Sequence, residues 1–102
     1  MSNIYVSPAS GQTPRQRGVT TTSAEVLGDN PSRQGLVMVN LSDSTLYIAF
    51  GNSAVVGSGL PILPYGGGFT MNDYTFCKES VEAIGTSAGQ LLAIQEFVHR
   101  PL

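Results

Sequence analysis

From residue 34 onward the apolar positions fall in short runs, each closed by Gly, Pro, Asn or Ser. Residues 36–41 (LVMVNL) are almost continuously apolar, the pattern of a strand covered on both faces. After Ser42-Asp43-Ser44 the chain resumes with 45–50 (TLYIAF), and two such runs across a tight polar connection predict a β-hairpin. Residues 54–56 (AVV) predict a brief strand. Residues 60–64 (LPILP) predict an extended segment, and Pro61 and Pro64, which lack N–H donors, keep it at a sheet edge. Tyr65-Gly66-Gly67-Gly68 reads as a sharp turn into a short strand at 69–71, followed by a connection over 72–80 with room for one strand turn at 74–77. Residues 81–85 (VEAIG) and 90–98 (QLLAIQEFV) then predict a closing hairpin across Thr86-Ser87-Ala88-Gly89.

Upstream, 19–27 (VTTTSAEVL) is β-branched but more polar, which predicts an edge strand before the turn formers of 28–32 (GDNPS). No segment predicts a helix. The best candidate, 90–98, suits a strand equally well. The pattern as a whole predicts an all-β fold, a small antiparallel β-sandwich or barrel, spanning residues 19–102 as one domain.

Residues 1–18 read differently, as an extended N-terminal arm. A short β-prone triplet, Ile4-Tyr5-Val6, precedes the polar stretch SPASGQTPRQRG. Such a segment cannot bury enough apolar surface to offset its ordering entropy. It is therefore expected either to be held by a neighbour, with Ile4, Tyr5 and Val6 as pegs, or to fold back on its own domain. Arg15 and Arg17 within it, with Arg33 further on, are expected to be solvated.

Composition sharpens this picture. Hydrophobic residues make up 41% of the 102-residue chain, enough for one modest core, whereas charged residues make up only 12%, against a usual share of about 25%. A surface so poor in charge is weakly solubilised alone and suits a protein covered by neighbours. The net charge of −2 gives no footing for nucleic-acid binding. No apolar run is long enough to span a membrane, and 1–15 lacks the charged start and apolar centre of a signal peptide. The single Cys77 excludes an internal disulfide and fits a reducing cytosol at synthesis.

Chemistry finds little support. His99 is the only histidine, and no cysteine cluster accompanies it, so no metal site or cofactor is expected. Cys77 beside Lys78 lacks a base, and Gly66-Gly67-Gly68 and 85–89 lack the lysine and helix of a phosphate loop. Glu82 and Glu96 could face each other across a strand pair, but a glycosidase would also need sugar platforms, and the chain has no Trp. Asn40-Leu41-Ser42 matches the glycosylation sequon, a frequent chance match. The expectation is a protein that is not an enzyme.

A resemblance enters on a series of motifs. VMVNL ends in Asn, a Ser/Asp turn follows, and then YIAFG, GLPILP, a Gly-rich turn and AIGTSAGQLLAIQEF. Over residues 34–98 this is similar to small tailed-bacteriophage virion proteins: capsid decoration or cement proteins and fibre-anchoring modules. The resemblance implies a non-enzymatic structural virion protein, made in the host cytoplasm. It would clamp onto a major capsid protein, or onto portal and tail proteins as a neck or tail adaptor. It would be homo-oligomeric, with a trimer as first expectation. Contacts would come from Ile4, Tyr5 and Val6 and from the loop Leu60, Pro61, Ile62, Leu63, Pro64 and Tyr65. The competing expectation is a carbohydrate-binding β-sandwich stacking sugars on Tyr47, Phe50, Tyr65, Phe69 and Tyr74.

Overall fold

The computed structural model describes residues 9–72 and 75–99. They form nine strands: β1 (Ala9–Gly11), β2 (Arg15–Val19), β3 (Ala24–Leu27), β4 (Arg33–Asn40), β5 (Leu46–Phe50), β6 (Leu60–Ile62), β7 (Gly68–Thr70), β8 (Val81–Gly85) and β9 (Gln90–His99). Every pairing is antiparallel. Sheet A runs β2-β9-β4-β7, with β1 beside the far end of β9, and sheet B runs β3-β8-β5-β6. Strands β2 to β9 are thus shared between two sheets as in a jelly roll. The protein is an all-β antiparallel sandwich, as the hydropathy pattern predicts.

Period-two alternation decides what goes inside. From β4 the inward residues are Leu36, Met38 and Asn40; from β9 they are Gln90, Leu92, Ile94 and Glu96. Sheet B answers with Leu46, Ile48, Ile62, Val81 and Ala83, and Val19, Val26 and Leu27 close one side. Phe50 and Phe69 pack against this core and against each other, ring centroids 5.8 Å apart.

Both predicted hairpins prove to be crossings between sheets. β4 lies in sheet A and β5 in sheet B, while β8 lies in sheet B and β9 in sheet A. Turn residues mark where the chain changes direction but not which sheet the next strand joins. The genuine hairpin is β5–β6, with Leu46 opposite Ile62 and Ile48 opposite Leu60. Residues 54–56 form no strand; Ala54 is buried with its N–H on Ser23 Oγ. The strand predicted over 19–27 is broken at 20–23, where Thr22 N–H bonds Thr20 Oγ1 and the chain crosses from β2 to β3. Of the strand turn predicted at 74–77, residues 75–77 are not strand and Tyr74 lies outside the described residues.

Of the arm predicted over 1–18, residues 9–18 belong to the body. β1 lies on β9 with Ala9 opposite His99, and β2 lies on β9 with Arg15 opposite Ile94. Residues 1–8, including Ile4, Tyr5 and Val6, lie outside the described residues. Arg17 is exposed but its Nε donates to Val26 O at 3.2 Å, bridging the two sheets at the β2/β3 side.

Arg33 departs furthest from its expectation. It is 1% exposed, and its Nε donates to Glu96 Oε2 at 2.6 Å. One terminal nitrogen donates to Cys77 O at 3.0 Å and Glu79 O at 2.6 Å, the other to Gly28 O at 2.9 Å. The planar fork of a guanidinium fits this divergent set of acceptors where an ammonium would not. Glu82 and Glu96 therefore never meet: Glu82 sits on β8 opposite Glu25 and Ala49 in sheet B.

Candidate interaction surface

At the end of the sandwich opposite Arg33, three connections converge: 41–45, 63–67 and 86–89. Asn40, wholly buried at 0% exposure, organises them. Its Nδ2 donates to Ser44 O at 2.8 Å and Ile62 O at 2.9 Å, and its Oδ1 accepts Ser42 N–H at 2.8 Å. With all three side-chain bonds made inside the fold, Asn40 cannot carry a glycan, so the sequon is a chance match.

The loop after β6 is held mainly through its backbone. Tyr65 N–H donates to Ser42 O, Gly66 N–H to Asn40 O and Asn40 N–H to Gly67 O, all within 2.8–2.9 Å. A Cβ on Gly67 would lie 2.3 Å from Leu63 O, so only glycine closes this turn. Tyr65 occupies the left-handed region at φ 59°, which costs a non-glycine residue about 1–2 kcal/mol.

The segment 60–65 divides by this geometry. Ile62, at 2% exposure, is core and unavailable to a partner, and Leu60 packs partly against the core. Pro61 is exposed, Pro64 half-buried, and Leu63 and Tyr65 stand out at 63% and 81% exposure. The structure adds two residues that the sequence reading omits. Leu41, 50% exposed, donates its N–H to Leu91 O, and Leu91 is also exposed. Alternation could have found both: Leu41 follows the inward positions 36, 38 and 40, and Leu91 falls between inward Gln90 and Leu92. Asp43 is the single charged residue in the three connections.

A shallow groove of about 210 Å³ lies on the outer face of sheet A, lined by Pro14, Arg15, Val37, Val39, Ala93, Ile94 and Gln95. It is smaller than the roughly 300–1,000 Å³ of small-molecule sites. The five aromatics considered as sugar platforms do not share a face among the described residues. Phe50 and Phe69 pair inside, Tyr47 lies half-buried on β5, Tyr65 stands at the end, and Tyr74 is outside the described residues. Cys77 is half-buried, its Sγ accepting Glu79 N–H at 3.4 Å. Among the described residues no three His, Cys, Asp or Glu side chains gather as metal ligands would.

No protein-family model matches the chain. A comparison with curated proteins finds no match either. Among solved structures, one of Bacillus endospore appendages, described as a novel family of disulfide-linked pili, is similar with a TM-score of 0.53. Identity is 16%, over 99% of this chain and 98% of that one. At that identity the likeness establishes a shared sandwich fold.

Proposed function

We propose that this protein is a non-enzymatic structural subunit, built to be covered by neighbouring proteins in a larger assembly. The carrying observation is the charge-poor end: Leu41, Leu63 and Tyr65 on backbone-bonded connections and Leu91 at the start of β9 are exposed together, with Asp43 the one charge on those connections. Interface cores are depleted of charge and enriched in rigid aromatic anchors, because such surface loses its water cheaply. The fold shared with a pilus-type appendage supports the same reading.

Two finer versions follow. The resemblance of residues 34–98 favours a phage virion protein, with capsid decoration first and a neck, tail or fibre-anchoring position as its variants. The shared fold favours a filament subunit. Disulfide linkage of the kind named for the appendage is not open to this chain as a lattice bond. One Cys77 per chain joins two copies at most, so reductant should leave an assembly intact. Ile4, Tyr5 and Val6 supply further contacts in this reading, and the informative truncation is of residues 2–8, because deleting through residue 18 would strip two strands from β9.

Electron microscopy and sedimentation of the purified full chain, alone and mixed with intact particles, test the proposal. Ordered oligomers, filaments or bound copies are expected, and copy number separates hundreds on a shell from a few at a vertex. A protein that stays monomeric up to about 100 μM, where micromolar contacts are populated, and sediments with nothing would sink it.

A further inference from the structure

We infer that Tyr65 of one copy seats in the groove on the outer face of sheet A of another copy. This deepens the structural-subunit reading and rests on it.

The projecting half is Tyr65 itself. A solvent-facing aromatic ring is ordinarily placed on relaxed backbone, yet Tyr65 is 81% exposed and held at positive φ by its N–H bond to Ser42 O and by the turn at Gly67. Strain kept at an exposed side chain points to a use for that side chain. A tyrosine fixed this way loses little freedom on binding.

The receiving half is the groove. Val37 lies opposite Gln95 and Val39 opposite Ala93, so its floor is apolar, and Pro14 and Arg15 form one wall. Its volume of about 210 Å³ is too small for a typical ligand and suits a single large side chain. Tyr65 cannot fill its own groove. Its loop bonds to the β7 side of β4, through Gly66 N–H on Asn40 O, whereas the groove lies over the seam of β4 with β9 and β2.

Charge matches as well. Arg15 is the single charged residue lining the groove, and its side chain has no hydrogen-bond or ion-pair partner among the described residues. It can sit over the tyrosine ring or donate to its hydroxyl. Asp43, the residue after Ser42 whose carbonyl accepts the Tyr65 N–H, puts a charge of opposite sign on the connection beside the knob.

Because knob and hole belong to one chain, complementation tests the contact. Tyr65→Ala removes the knob, and Ala93→Arg fills the hole. In sedimentation velocity over a concentration series, wild type should exceed monomer mass. Each variant should weaken self-association by at least about 30-fold, the size of an interface hot spot. An equimolar mixture of the two variants should regain a species of dimer mass, because one supplies the intact groove and the other the intact tyrosine. Thermal melts of each variant near wild type, together with that recovery, separate loss of contact from loss of fold. If wild type associates and Tyr65→Ala associates within about threefold of it, this inference falls and the structural-subunit reading stands. A mixture of two folded variants that remains monomeric also overturns it. Monomeric wild type that binds no particle overturns both.

Discussion

The two ends of the sandwich are fastened by the same strand in different ways. β4 begins with Arg33 and ends with Asn40, and both side chains are fully buried among main-chain carbonyls. Arg33 gathers the connection before β4, the connection before β8 and, through Glu96, strand β9. Asn40 gathers nearer groups: two from the connection that follows it and one from β6. The ionic clasp reaches across 63 residues of sequence, the amide clasp across no more than 22. A charge on a long stem can recruit several distant acceptors but must be matched inside the fold. An amide needs no counter-ion, and its end of the molecule carries only Asp43. The lesson is that the end whose connections carry a single charge is tied down by neutral hydrogen bonds, leaving a surface that sheds water at little cost.

That comparison can be broken in stages. The largest effect should come from Arg33→Ala, which leaves Glu96 buried without its cation and three carbonyls without a donor. A loss of about 3–5 kcal/mol is expected, read by urea denaturation, and a loss under 1 kcal/mol would show that water can replace the clasp. Asn40→Ala should cost about 2–3 kcal/mol, since Ser42 N–H, Ser44 O and Ile62 O lose their partner. Asn40→Asp should be worse than alanine at neutral pH, because a carboxylate would face two carbonyl oxygens now bonded at 2.8 and 2.9 Å. Gly67→Ala should cost about 2 kcal/mol through the backbone shift it forces. The smallest effect is Tyr65→Gly. Relief of the left-handed strain and the entropy of the added glycine nearly cancel, within about 1 kcal/mol, so its melting temperature should match wild type.

Much of the fold was legible along the chain and much of its wiring was not. The runs at 45–50 and 81–85, and the first three residues of 60–64, lie on strands because their alternation and punctuation act locally. The proline-bearing run at 60–64 lies at an edge for the same reason. What joins to what is a property of pairs far apart, so Ser42-Asp43-Ser44 and Thr86-Ser87-Ala88-Gly89 looked like hairpin turns while serving as crossings. The site was half legible. The sequence offers 60–65 as one contact segment, and its exposed members Leu63 and Tyr65 can be told from buried Ile62 only once the register of Ile62 on β5 is known. Arg33 and Glu96 left a fainter trace. Glu96 continues the inward series 92 and 94, and a carboxylate at an inside position requires a partner. Nothing local identifies that partner as an arginine 63 residues earlier.

The placement of β9 has a consequence for how the protein is made. It follows the other eight strands in the chain, yet it lies between β2 and β4 in the middle of sheet A. Until residues 90–99 leave the ribosome, β4 presents the uncharged run LVMV along an open edge, and Arg33 has no carboxylate to meet. Sheet A can therefore close only after β9 has emerged, and the interval before it is when the nascent chain is most open to pairing with other chains. Chains stalled before residue 90 should be cut freely by protease. Those carried past residue 99 on a tunnel-length linker should resist it.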